Sequence, residues 1–280
     1  MNTLTLDTDW EKRYASWNVT LLRQLVTSGL FIVKTIRLDH PPNVCRRSAN
    51  YSVFYVNGAK VGLDTWDTAE PSSILWQREM LRDLDLLVKI QWRDDTIWTY
   101  MEKGGLRVRP WTVFPSREFT LGFFQYDSTQ RHRVMGLISG ANRFGRCAYA
   151  DWTARNPDFT SILGQKIPMD RYLRLVRGCR WGVSLKGRRG TDGKNRREAE
   201  FASCGMPLAL NYAPSYPFDF RPGRDFWLLS GPEDLITLRN LDPAPFAARS
   251  KYHWNEHFSA VGSAKTLLKL VENRPSPLPS

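Results

Sequence analysis

From Val134 onward, short apolar runs alternate with polar, amphipathic stretches, and this rhythm constrains the fold more than any other feature of the chain. Val134 to Ser139 reads as a strand, Arg143 to Arg155 as a helix and Phe159 to Leu163 as a strand. Pro168 opens a helix running to Arg177, because proline suits a first helical turn. Trp181 to Lys186 is then a strand, Gly187 to Gly193 a glycine-rich loop and Lys194 to Cys204 a helix. Met206 to Asn211 and Phe226 to Leu229 are further strands, and Pro232 to Arg239 starts a short helix. Such alternation predicts an α/β fold with a parallel sheet and helices on both faces. Ligands of these sheets sit at the carboxyl ends of the strands, so the informative place is just after Lys186. In the first half, Phe31 to Leu38, Ser52 to Val56 and Leu86 to Trp92 read as buried strands, with a helix over Ser73 to Leu84. Residues 100–118, with Gly104, Gly105, Pro110 and Pro115, form a loop-rich boundary region. Phe258 to Val271 is amphipathic and is expected to pack back on the body.

At about 150 residues per domain, a chain of 280 residues suits two domains or one large one. Two are expected, at 1–125 and 126–272, with 273–280 a frayed tail. The 11 Trp, 14 Phe and 10 Tyr can build a sizeable core, which argues against a mostly disordered protein. No apolar run approaches the roughly 20 residues of a spanning helix, so no integral membrane contact is expected. Asp7, Asp9 and Glu11 stand where a signal peptide would be basic and then apolar. Cys45, Cys147, Cys179 and Cys204 lie far apart and read as reduced, mostly buried thiols, which points to a cytoplasmic protein. The net charge of +12 suits a polyanionic partner: nucleic acid, an anionic membrane surface or a phosphorylated small molecule. A solvated basic surface that keeps the chain soluble explains it as well.

The stretch from Gly182 to Leu210 carries the chemistry. A strand runs into a loop with Gly187, Gly190 and Gly193, and then into a helix. Glycines let the backbone approach an anion closely, and a helix N-terminus presents free N–H groups at its positive end. Lys186, Arg188, Arg189, Lys194, Arg196 and Arg197 surround that point, a set suited to a diphosphate. Arg197 and Glu200 share a helix face, so the cation can reach a phosphate while the carboxylate accepts from a ribose diol. The plain alternative is an intrahelical ion pair worth a few tenths of a kcal/mol.

Arg197-x-x-Glu200, then Ala202, Gly205-x-Pro207 and the strand Leu208 to Leu210, resembles the nucleotide-sugar half of GT-B glycosyltransferases, in particular exostosin-like, CAP10-like and CgeB-like families. Tyr172, Cys179 and Trp181 precede the loop at matching places, and Phe220 to Leu235 is similar to the families' Pro-Gly-x-Asp … Ser-x-Glu-Asp-Leu segment. The likeness covers residues 134–240, with 180–235 its specific part. Glu198 and Ala199 depart from the usual aliphatic filling, which leaves open whether Glu198 or Glu200 meets the ribose; the five-residue distance to Gly205 favours Glu200. The resemblance implies two Rossmann-like domains with parallel sheets facing a cleft, the N-terminal one reduced. It also implies a nucleoside-diphosphate sugar as donor substrate, with Arg143, Lys186, Gly187, Arg188, Lys194, Arg197 and Glu200 as its binding set. No metal and no other cofactor is then required, because fixed cations and a helix terminus can neutralise the leaving diphosphate.

Asp64 and Asp67 follow a hydrophobic stretch and are the candidates for the carboxylate that takes the acceptor's proton; as capping residues they would need no such role. The acceptor is a glycan hydroxyl or, given the charge, a hydroxylated base in duplex DNA, as in phage DNA-modifying transferases. Arg107, Arg109, Arg117, Arg131, Arg133 and Arg146, interleaved with Trp111, Phe119, Phe123 and Phe124, would supply a DNA face, unless the aromatics are core. His253 and His257 lack a third ligand and read as a surface pair rather than a metal site. The competing function is a non-catalytic, basic nucleic-acid-binding protein, which would not explain the order Arg197, Glu200, Gly205, Pro207.

Overall fold

The computed structural model describes residues 1–14, 16–38, 51–65, 83–90, 107–111, 135–137, 146–156, 159–161, 168–185, 196–214 and 216–273. The chain divides into two units, Met1–Thr112 with Ala260–Ser280, and Val113–Ser259. Each carries its own sheet, so the fold is α/β twice over. The boundary expected at 125/126 and the tail 273–280 fall almost wholly outside the described residues, as does the helix expected over Ser73 to Leu84.

The first unit contains β1 (Asn2–Asp7), α1 (Trp10–Arg13), α2 (Ser16–Thr27), β2 (Phe31–Ile36), β3 (Tyr51–Val56), β4 (Ala59–Asp64), β5 (Leu86–Lys89) and β6 (Val108–Pro110). The sheet order is β2-β1-β3-β4-β5-β6. Among the described strands, only β3 runs against its neighbours, β1 and β4. The β3–β4 hairpin turns on Asn57 and Gly58, both at positive φ (51° and 82°), the backbone that a tight hairpin with right-handed twist requires. Because β1, β4 and β5 point the same way, their last residues Asp7, Asp64 and Lys89 share one edge of the sheet. Leu4, Leu6, Phe54, Val61, Leu63 and Val88 are all buried to 0% exposure and form the core beside them. β2 corrects one expectation. It forms as a strand but is not buried, with Ile32, Val33 and Ile36 exposed, because it lies at the end of the sheet order. The C-terminal helix Ala260–Glu272 belongs to this unit, where its carbonyl at Leu270 accepts from Arg107 Nη2 at 2.6 Å.

The second unit contains β7 (Met135–Leu137), α3 (Arg146–Ala154), β8 (Phe159–Ser161), α4 (Met169–Arg177), β9 (Gly182–Ser184), α5 (Arg196–Ser203), β10 (Leu208–Leu210) and β11 (Trp227–Leu228). A 3-10 turn (Pro232–Leu235), α6 (Thr237–Asn240), α7 (Ala244–His253) and a π-helical turn (Trp254–Phe258) complete it. The sheet order is β11-β10-β9-β7-β8, and every pairing is parallel. Counted within the unit this is the order 2-1-3-4-5, a doubly wound, Rossmann-like arrangement whose switch point lies between β7 and β9. Pro168 stands at the N-cap of α4, one residue ahead of the first-turn place expected of it. Trp181, Val183, Leu185 and Ala209 are fully buried in a core that Tyr149, Phe159 and Phe246 complete.

Helix α5 sits directly on β9. A Cβ added at Gly182 would lie 2.5 Å from the Phe201 ring and 2.9 Å from Met206 Sδ, so only glycine permits this approach. The helix ends through Gly205, at φ +67°: Met206 N donates to Phe201 O and Gly205 N to Ala202 O, each at 2.9 Å. That pair of bonds is a Schellman cap, with the buried Met206 and Phe201 closing it.

Candidate functional site

The carboxyl end of β9 leads, through residues 186–195, into α5. Lys186, Gly187, Arg188 and Lys194 fall in that interval and, with Arg143, lie outside the described residues. Arg197, Glu198 and Glu200 are described. Arg197 is half-buried, while Glu198 and Glu200 are 0% and 4% exposed. Burying a carboxylate is costly unless its oxygens are hydrogen-bonded, and tyrosines perform that service for both. The Tyr172 hydroxyl, on α4, donates to Glu200 Oε2 at 2.8 Å. Tyr212 and Tyr216, beyond the carboxyl end of β10, donate to Glu198 Oε1 and Oε2 respectively. Tyr212 also lies 3.3 Å from the Ser184 hydroxyl at the end of β9.

Burial, reinforced by the negative charge of Glu198, pushes the Tyr212 and Tyr216 phenols far up. Burial and Glu200 do the same for Tyr172. All three therefore stay protonated and act as donors. The cation of Arg197 opposes the rise at both Tyr172 and Tyr212. Tyrosines engage both oxygens of Glu198, and Tyr172 engages Oε2 of Glu200.

In the first unit Asp64 is 3% exposed and forms an ion pair with Lys89 Nζ at 2.9 Å, its neighbour in the β4–β5 register. Both are buried at the carboxyl edge of their sheet, the edge where α/β folds place ligands. Burial drives the nearby Tyr51 phenol far up, with Asp64 and Tyr14 adding to the effect. Asp67 lies outside the described residues. Of the proposed DNA face, Trp111 is a core residue at 0% exposure, and Arg107 serves the Leu270 carbonyl. Arg109 Nη1 donates to the Val108 carbonyl at 2.8 Å; the side chains of Arg117, Arg131, Arg133, Arg146, Phe119, Phe123 and Phe124 lie outside the described residues.

A cluster not foreseen from the sequence centres on Asp225, which is 0% exposed. Its Oδ1 accepts from Arg249 Nε at 2.7 Å and pairs with His253 Nε2 at 2.8 Å. Its Oδ2 accepts from the Arg221 amide and from Arg224 Nε, each at 2.8 Å. The Pro222–Gly223 turn, with Gly223 at φ +77°, is thereby tied to α7. The expectation of a surface histidine pair is corrected here, since His253 is 1% exposed among Phe218, Phe220 and Phe258. Among the described residues, no three His, Cys, Asp or Glu come together as a metal site. Nor is any helix long and apolar enough to cross a membrane. Cys179 and Cys204 are buried, as expected, and the Cys179 thiol donates to the Leu175 carbonyl at 3.0 Å.

No protein-family model matches the sequence, and neither does any curated protein. Solved structures that it resembles include the GtfA/B complex, at 12% identity and TM-score 0.39, covering 71% of this chain and 47% of that one. Another is the pneumococcal O-GlcNAc transferase GtfA in complex with UDP and GlcNAc, at 12% identity and TM-score 0.42, covering 72% and 48%. Both likenesses are loose, and the chain spans about half the length of either neighbour (47% and 48%).

Proposed function

We propose that the chain is a glycosyltransferase that moves a sugar from a nucleoside-diphosphate donor to an acceptor hydroxyl. One observation carries this reading: the parallel 2-1-3-4-5 sheet has its switch point beside β9, and β9 runs into the glycine- and cation-rich stretch that opens α5. A crevice outside such a switch point is where doubly wound sheets hold nucleotides. Arg197 then faces the diphosphate and Glu200 the ribose diol, while Lys186, Gly187, Arg188, Lys194 and Arg143 complete the cradle. In the reaction the acceptor oxygen attacks the anomeric carbon and its bond to the diphosphate breaks. The diphosphate departs with the electron pair, and the hydroxyl proton passes to a carboxylate, with Asp64 and Asp67 the candidates. Fixed cations supply the electrostatic stabilisation, so transfer is expected to persist with a chelator present. The acceptor is a glycan hydroxyl or a hydroxylated base in duplex DNA.

A thermal-shift screen of nucleotide sugars on wild type and Arg197→Ala tests the reading. One uridine or guanosine donor should raise the melting temperature of the wild type, and the variant should lose that shift. No response to any donor would contradict it.

A further inference from the structure

Ser184, Tyr212, Glu198 and Tyr216 form one buried hydrogen-bonded chain that joins three elements at the carboxyl edge of the second sheet. Ser184 ends β9, Tyr212 and Tyr216 follow β10, and Glu198 lies in the first turn of α5. The direction of the chain follows from its chemistry. Both phenol O–H groups donate to Glu198, one to each carboxylate oxygen, which accepts. With the proton of Tyr212 spent, its oxygen is the acceptor for the Ser184 hydroxyl at 3.3 Å. The two tyrosines are not equivalent in this chain. Tyr212 links α5 to β9, whereas Tyr216 anchors Glu198 among Phe218, Phe220 and Phe258.

We propose that Tyr212 and Glu198 are positioning residues of the donor site, holding the first turn of α5 against the end of β9 so that a diphosphate meets cations already in place. This rests on the nucleotide-sugar reading above. Simple packing does not call for the arrangement: Ala199, Phe201 and Ala202 already bury the same helix with apolar groups. A buried carboxylate held by directional phenol hydrogen bonds makes the network stiff and specific where apolar contact would allow sliding. Burial and the charge of Glu198 keep the Tyr212 phenol protonated and thus permanently a donor. The helix turn it holds carries Arg197. An anion site preorganised in this way loses less freedom on binding.

The test compares two variants that each remove one buried phenol hydroxyl from the same carboxylate. Calorimetric titration with uridine, guanosine, adenosine and cytidine diphosphates, and with inorganic pyrophosphate, is run on wild type, Tyr212→Phe and Tyr216→Phe well below their melting temperatures. Both variants should melt earlier. Only Tyr212→Phe should lose affinity, by about tenfold for the diphosphate that binds best, a change equal to about 1.4 kcal/mol. Ser184→Ala breaks the same link from the other side and should weaken binding in the same direction, even where Tyr212→Phe folds poorly. Wild-type affinity in both Tyr212→Phe and Ser184→Ala, or equal losses in Tyr212→Phe and Tyr216→Phe, would overturn the positioning role and leave the transferase reading standing. A wild type that binds none of the diphosphates would overturn both.

Discussion

Asp225 shows how much one buried side chain can organise. Burial alone would raise its carboxyl, but hydrogen bonds from Arg224, the Arg221 amide, His253 and Arg249 outweigh that and hold it far below the usual carboxylate range. His253 is shifted the other way from the common case: burial lowers it, against the pull of Asp225, and the cations of Arg249 and Arg224 lower it further. Tyr252 and His257 also face its ring. The signs agree. Below its ordinary value of 6.5, His253 binds a proton more readily in the unfolded chain, so its contribution to stability is full above pH 6.5 and declines as pH falls. Asp225, lowered from 3.8, contributes fully above that value and loses its contribution below it. Urea unfolding across pH should therefore show two acid steps, and His253→Gln should flatten the upper one while sparing the lower. An unchanged slope between pH 6.5 and 5 in that variant would contradict the assignment. The cluster was hard to read from the sequence because α7 buries Phe246, Ser250 and His253 on one face, two of them polar. Apolar periodicity therefore does not reveal the buried stripe. The Asp64–Lys89 ion pair is equally hard to read, because the two residues are adjacent in the sheet but not in the sequence.

At the scale of elements, the alternation of strand and helix from β7 to β11 is legible because Gly and Pro punctuate it, as at Pro168, Gly178 and Gly205, whereas α7 is not. Gly205 is the clearest case: the Gly205-x-Pro207 pattern is a helix stop, and its left-handed backbone ends α5 with a Schellman cap. Gly205→Ala is expected to destabilise the protein by about 1–2 kcal/mol in urea unfolding, the cost of a Cβ in that conformation. A change below a few tenths of a kcal/mol would mean that the cap is not held as described. The first unit was less legible. α2 is hard to read because it mixes Val and Thr into a helix they do little to favour. β4 was visible only as a hydrophobic run, although Asn57-Gly58 ahead of it is a strong hairpin signal. Apolar composition made β2 resemble an interior strand; position in a sheet depends on pairing partners far along the chain, and composition does not record that.

For the whole molecule, the chain leaves the first unit at Thr112 and returns to it at Ala260, so the C-terminal helix completes the unit that the N-terminus begins. Leu267 and Val271 on that helix are buried, at 0% and 5% exposure. The donor assignment belongs to the second unit alone: a parallel sheet, its switch point at β9, and a helix whose two buried glutamates are held by tyrosines. The positive charge of +12 is consistent with an anionic ligand but does not locate it. Location is therefore what most needs measurement. Photoaffinity labelling with an azido nucleoside-diphosphate sugar, followed by peptide mapping, addresses it directly. The label should fall within residues 181–212 and be displaced by excess unlabelled nucleoside diphosphate. Displaceable label confined to residues 1–112 instead would contradict the account.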